Sequence, residues 1–286
     1  MTNSIRGVDH VMFLVKSLPL AGSVLEQLGF YVTARSEQKG LGTANRLIVL
    51  DSQYIEVLTV ERASAANAFL GQALLKGDGL VGVVLAIDNA DTAYAELRKG
   101  AVNAQPPFEF SRDVVVSEGV REASFRVIFL DAPSSPGLRL AACQHRTRDL
   151  IWRKEWQTHP NTACALGSIV VVVEQLDLVQ SAYEPIFGRP AVLRTAGEVS
   201  FRLGATELRF LLPLQAELEF GERSTREPAD REFILSLNVN VRSLTAASNV
   251  LKANAVPFFD CGARSLRVPA AAACGTILEF TERPTE

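Results

Sequence analysis

One pattern recurs four times along this chain: an apolar run, a short polar step, a helical stretch, then further strand-like runs. The first copy, "DHVMFLVKSLPLAGSVLEQLGFYVTARS", reads as strand, helix and strand, with the helix over about Leu18–Leu28 and Gly29 ending it. "NRLIVLDSQYIEVLTV" adds two strands around a tight turn at Asp51 and Ser52, so the unit is βαβββ. The second copy opens with "GLVGVVLAIDNADTAYAELRKG", where the helix spans about Ala90–Lys99, and closes with "ASFRVIFLDAPSSPGLRLAACQH". "GSIVVVVEQLDLVQSAYEPIFGRPAVLR" with "EVSFRLGATELRFLLP" makes the third; "FILSLNVNVRSLTAASNVLKANAVPFFD" with "RSLRVPAAAACGTILEFTE" makes the fourth. The steps "VKSL", "IDNA", "VEQL" and "VRSL" each lead into a helix whose apolar residues sit three and four apart.

The repeats predict an α+β chain of four βαβββ modules, at about residues 7–60, 80–145, 166–213 and 232–282. The irregular "RTRDLIWRKEWQTHPNTA" separates the two pairs, which places one domain at 1–146 and another at 163–286. Its two tryptophans predict a packed segment. At 286 residues, 48% hydrophobic and 21% charged, the chain has the composition of a globular protein. A net charge of -3 gives no reason to expect a nucleic-acid partner. No apolar run approaches the roughly 18 residues of a membrane span, and no signal-peptide core follows the start, so a cytoplasmic location without a membrane partner is expected. The four cysteines form no CxxC pair and read as reduced space-fillers.

Only three histidines occur, and one lies in the first strand, "VDHVMFLVKS". Strict alternation places Val8, His10, Met12 and Leu14 on one face, and Val11, Phe13 and Val15 on the other. An imidazole in so apolar a strand must hydrogen-bond, bind a metal or line a cavity. "GLGTAN" lacks the third glycine of a dinucleotide fingerprint and precedes a strand, which excludes that reading. Its Gly40 and Gly42 read either as a turn with positive φ or, with Thr43 and Asn45, as a ligand loop. No GxSxG or catalytic-cysteine signature is present. His159, before Pro160, reads as a packing or capping residue.

Paired βαβββ units with "DHV" on the first strand resemble the vicinal oxygen chelate superfamily. "KGLGTANRLIVLDSQYIEVLTV" and "HPNTA" are similar to its glyoxalase-like branch. The resemblance implies that modules pair into two half-open cupped barrels with helices outside. It also implies a metal or small-molecule ligand inside, with metal ligands on the first and last strands of a unit. Carried over, these positions are His10 and Glu56.

The residues agree in part. Glu56 shares a strand face with Tyr54, Leu58 and Val60, and a carboxylate there is costly unless paired or metal-bound. The second module has Gly82 and Arg139 at the matching positions, and the arginine repels a cation. His145, in phase with Arg139, completes a candidate triad of His10, Glu56 and His145 for zinc, iron, manganese or nickel. The alternative is a Glu56–Arg139 salt bridge with His10 hydrogen-bonded nearby. In the second pair, Ser168 with Arg209 and Ser236 with Glu279 occupy the positions, and Arg209 with Glu279 reads as a structural ion pair.

Two functions remain open. In one, His10 and Glu56 are catalytic, with or without metal, in lyase or isomerase chemistry through an enediolate. In the other, the cup binds or sequesters a small molecule, with Arg139 holding an anionic group. Arg139, Thr43, Asn45 and Tyr54 are the candidate substrate contacts. One half serving as scaffold or homodimer surface is compatible with either. In both, His10 faces the interior of the first cup, its ring within about 8 Å of the Glu56 carboxylate, the reach of two ligands around one metal.

Overall fold

The computed structural model describes residues 4–38, 40–130, 137–188, 192–221, 232–262 and 264–283. The strands form two eight-stranded sheets, the first closed into a barrel. The barrel contains β1 (Ile5–Leu14), β2 (Ser36–Gln38), β3 (Thr43–Val49), β4 (Tyr54–Val60), β5 (Gly79–Ile87), β6 (Phe108–Val116), β7 (Gly119–Phe129) and β8 (Arg139–His145), in the order β1-β4-β3-β2-β6-β7-β8-β5. The half-open cup expected here is therefore closed. The seam is the single pair Gln38↔Arg112, where three-residue β2 meets β6.

The second sheet comprises β9 (Ala163–Val172), β10 (Leu193–Arg194), β11 (Glu198–Leu203), β12 (Thr206–Leu211), β13 (Phe233–Val241), β14 (Phe259–Asp260), β15 (Ser265–Val268) and β16 (Ile277–Glu282). It runs β10-β11-β12-β9-β13-β16-β15-β14 and stays open.

Helices α1 (Leu18–Gln27), α2 (Ala68–Leu75), α3 (Ala90–Lys99), α4 (Leu176–Phe187), α5 (Pro213–Phe220) and α6 (Leu244–Ala253) complete the described elements. Ser17 caps α1 by accepting from the Leu20 N–H, and a proline in the first turn fits the fixed φ needed there. Asn89 caps α3 and Ser243 caps α6 in the same way. Gly29 follows α1 with φ +86°; a Cβ there would lie 2.7 Å from Val250, so glycine is required by both backbone and space. Among the described residues no helix is long and apolar enough to cross a membrane.

One buried cluster joins the outer faces of both sheets to α1, α3, α4 and α6, from Val11 and Phe13 to Val239 and Phe280. A separate cluster fills the barrel interior, with Leu47, Val84, Val114, Phe125 and Cys143. The segment between the sheets plugs one barrel end: Ile151 and Trp156 are buried in that inner cluster, and Trp152 packs against it. Gln53 ties the sheets together. Its amide donates to the Val8 carbonyl and Thr206 Oγ1, and its oxygen accepts from the Leu166 N–H.

Candidate active site inside the first barrel

The site begins with a bulge. β1 pairs with β5 as Val8↔Leu85 and then His10↔Val84, leaving Asp9 as an extra residue. An extra residue bends the strand and resets its side-chain phase. The alternation expected for Val8 therefore fails. Val8 joins Val11 and Phe13 in the outer core, while His10 and Met12 face the barrel interior. The same bulge brings consecutive Asp9 and His10 into contact. Asp9 Oδ1 accepts from His10 Nδ1 at 2.7 Å and from His145 Nε2 at 3.0 Å. Burial raises the Asp9 carboxyl, but His145 and His10 outweigh it and hold the group well below the usual carboxylate range.

With Nδ1 committed to Asp9, His10 presents Nε2 to Glu56, 3.8 Å from its Oε2. Glu56 is held from behind. Gln38 Nε2 donates to its Oε1 at 2.9 Å, Asn45 Nδ2 donates to the same oxygen, and Thr43 Oγ1 donates to the Gln38 amide oxygen. Gly42 turns the chain into β3 with φ +67°, and a Cβ there would meet the Arg62 carbonyl at 2.4 Å. "GLGTAN" thus builds the support of Glu56, with Thr43 and Asn45 both buried.

Tyr54 stacks on His10 with ring centroids 4.2 Å apart and its hydroxyl 3.5 Å from Nε2. Burial, with Asp9, Cys143 and Glu56 nearby, raises its phenol well above the ordinary value, so it keeps its proton. These groups line a cavity of about 100 Å³ together with Met12, Phe110, Arg112 and Phe125. Phe69 and Leu70 of α2 also line it.

The structure brings His10, Glu56 and Tyr54 together in that cavity, with Thr43 and Asn45 behind Glu56. His145 lies beyond Asp9, on the side of a second cavity lined by Asp9, Gln53 and Arg148. Arg139 is exposed at the barrel rim, with its guanidinium 3.8 Å from the Phe69 ring centroid. It does not line the His10 cavity, and the expected Glu56–Arg139 ion pair does not form. The Met12 methyl fills the space above Gly82, 2.4 Å from where a Cβ would be.

The expected Arg209–Glu279 pair is also replaced. Glu198 and Glu219 both grip Arg209, and Glu279 pairs with Arg267, its directly opposed neighbour on β15. Asp9, Gln38 and Arg112 were not among the expected site residues. Alternation through Phe110, Arg112, Val114 and Val116 carried the signal for Arg112.

Asp9, His10 and His145 each offer one donor atom, all within 4.8 Å of one another. Two imidazoles and a carboxylate suit zinc, iron, manganese or nickel, and His145 Nδ1 is buried with no partner. The set fits a divalent cation in kind and spacing, with Asp9 where Glu56 was expected.

A family model for the glyoxalase-like domain matches residues 8–187. No curated protein matches the chain by sequence. Among solved structures, a hypothetical protein from Staphylococcus aureus is 13% identical with a TM-score of 0.68, over 96% of this chain and 99% of that one. A triple mutant of 4-hydroxymandelate synthase from Streptomyces coelicolor is 12% identical with a TM-score of 0.64, over 98% and 93%. A xylose isomerase-like TIM barrel/4-hydroxyphenylpyruvate dioxygenase fusion protein is 12% identical with a TM-score of 0.66; the match covers this whole chain but only half of the fusion. At these identities the likeness is one of fold, the vicinal oxygen chelate fold. On the family match, which spans more than half of its length, the chain belongs to the glyoxalase-like domain family.

Proposed function

We propose that the first barrel binds a small oxygen-bearing organic molecule and moves a proton on it, as in lyase or isomerase chemistry through an enediolate. The observation that carries this is the pair His10 Nε2 and Glu56 Oε2, 3.8 Å apart on the cavity wall. Each is held from behind, by Asp9 and by the Gln38 and Asn45 amides. Asp9 fixes the Nδ1–H tautomer of His10, which leaves Nε2 as the basic atom facing the ligand. Glu56 keeps one oxygen free of amide donors and serves as the second proton carrier. The protonated Tyr54 hydroxyl beside them donates to a developing oxyanion.

We further read each sheet as two βαβββ modules and the sheets as domains 1–146 and 163–286. The order β1, α1, β2, β3, β4 and the parallel β1–β4 and β5–β8 pairs support that reading.

The test is proton–deuterium exchange at the carbinol carbon of 2-hydroxyacetophenone and dihydroxyacetone, followed by NMR. Exchange by the wild type, falling about 100-fold or more in Glu56→Gln and His10→Gln, is the expected result. Exchange unchanged in both variants would sink it.

A second reading rests on the Asp9, His10 and His145 donors. A divalent cation held there would supply Lewis acidity beside the cavity. Metal analysis of protein purified without chelator, with Asp9→Asn and His145→Gln as controls, tests it. The absence of any cation bound at micromolar affinity or better counts against it.

A further inference from the structure

Arg112 is the odd group in the barrel. It lies on β6 at the closing seam, is 4% exposed, and lines the cavity. Among the described residues its guanidinium has no hydrogen bond and no carboxylate within ion-pair distance; its contact is the Phe125 ring, 5.6 Å from the centroid. Other shielded arginines are treated differently. Arg209 is gripped by two glutamates, Arg267 by Glu279, and Arg126 by Asp91 and Glu109. Glu56, the acid in the same cavity, gives Oε1 to two amides and turns Oε2 to His10. A guanidinium stays charged, and a buried charge without a counter-ion is costly.

We infer that Arg112 anchors a carboxylate of the ligand, so that the site takes a compact organic monocarboxylate with an apolar or aromatic body. This rests on the proposal that the first barrel binds a small oxygen-bearing molecule, and it names the class. A single cation faces the cavity among the described residues, which balances one carboxylate better than a phosphate dianion. Tyr54, Phe69, Phe110, Phe125 and Phe129 on the walls suit a ring. The volume of about 100 Å³ is below the about 150 Å³ of a cavity known to hold benzene, so the body is at most one ring, which extends into the adjoining cavity that shares Met12, Leu41, Phe69 and Phe129.

The experiment is calorimetric titration of the full chain with benzoate, benzamide and phenyl phosphate. Benzoate is expected to bind at least about tenfold more tightly than benzamide, and more tightly than phenyl phosphate. Arg112→Gln removes the preference over benzamide, Arg112→Lys keeps part of it, and Arg139→Gln leaves it unchanged. Thermal melts of each variant separate lost binding from lost folding. The inference is overturned by benzamide binding as tightly as benzoate, by a preference that survives in folded Arg112→Gln, or by a folded wild type that ignores benzoate. Tighter binding of phenyl phosphate also overturns it, in favour of a phosphate ligand. Failure here is distinguishable from failure of the proposed function. Exchange on 2-hydroxyacetophenone without a benzoate preference loses this inference alone; an Arg112-dependent preference without exchange loses the proton-transfer reading alone.

Discussion

Both sheets have eight strands, yet they treat closure and charge in opposite ways. In the first, β2 reaches β6 and closes a barrel around His10, Glu56 and Arg112. In the second, β10 and β14 are two residues long and never meet. There α5 starts at Pro213, directly after β12, and packs Ala216 and Phe220 against the sheet. Glu219 reaches Arg209, Arg267 sits over Phe220, and Arg267 also donates to the Glu219 carbonyl. In the first half α2 starts later and brings Phe69 and Leu70 to the cavity wall. Among the described residues, the second sheet pairs both of its shielded arginines, Arg209 and Arg267, with its own glutamates. The first leaves its cation unpaired and its His–Glu pair facing a cavity. Similar architecture thus differs in whether a shielded arginine already has a carboxylate partner.

The largest expected effect tests the paired side of that comparison. Arg209→Met strands the buried Glu198 and the half-buried Glu219 and should cost about 3 kcal/mol, the low end for breaking a buried pair because Arg209 and Glu219 are partly exposed. Denaturant unfolding measures it; a loss below about 1 kcal/mol would mean that the second sheet's network is ordinary surface charge.

The next tests why Gly82, on the strand paired with β1, brings no side chain to the cavity. Gly82→Ala places a Cβ against the Met12 methyl and the Arg139 carbonyl, at 2.4 and 2.9 Å. A cost of about 1–3 kcal/mol is expected from overpacking. If Met12→Ala does not rescue Gly82→Ala in a double-mutant cycle, Met12 is not the group that occupies that position.

A smaller effect concerns His159, which ties the segment between the sheets to the first half. Its Nδ1 accepts from the Tyr31 N–H and its Nε2–H donates to the Val49 carbonyl, so the ring is neutral when folded. Burial lowers its pKa against the usual 6.5. The unfolded chain therefore binds the proton first. Stability is full above about pH 6.5 and falls as pH drops towards the folded value, by no more than about 1.4 kcal/mol per pH unit for one group. Melts of wild type and His159→Gln between pH 7.5 and 5.5 should diverge in slope; parallel curves would contradict the assignment.

How much of this was legible in the sequence varied with the range of the interactions. Helix α3 falls at Ala90–Lys99 as its periodicity and Gly100 predict, and α1 ends one residue before the expected Leu28. His10 and Glu56 were legible as polar residues on apolar strands, and alternation was enough to turn both inward. Asp9 was not, because nothing local marks its bulge, which exists only in the register with β5. β6 escaped notice although Phe110, Arg112, Val114 and Val116 alternate. α2 and α5 were missed as well. Each is eight residues long and takes its stability from what it covers, although the proline opening α5 was a usable start signal. The arginine expected in the cup was Arg139. Choosing Arg112 instead requires the Gln38 seam, which pairs residues 74 positions apart.

The smallest expected change in stability is the sharpest test of the comparison. Arg112→Met removes a buried charge that has no carboxylate partner among the described residues, so no acid is stranded. The methionine side chain suits a pocket lined by Phe110, Phe125 and Val127. Glu56 loses a distant favourable charge but keeps both amide donors. The balance is a stability change between zero and a gain of about 1 kcal/mol, since replacing buried charge with apolar atoms is often neutral or stabilising. Paired with Arg209→Met on the same denaturant scale, the two variants should move in opposite directions or differ by at least about 2 kcal/mol. A loss at Arg112 equal to that at Arg209 would show that the first barrel also spends its arginine on structure. The contrast between a satisfied sheet and an unsatisfied one would then fail.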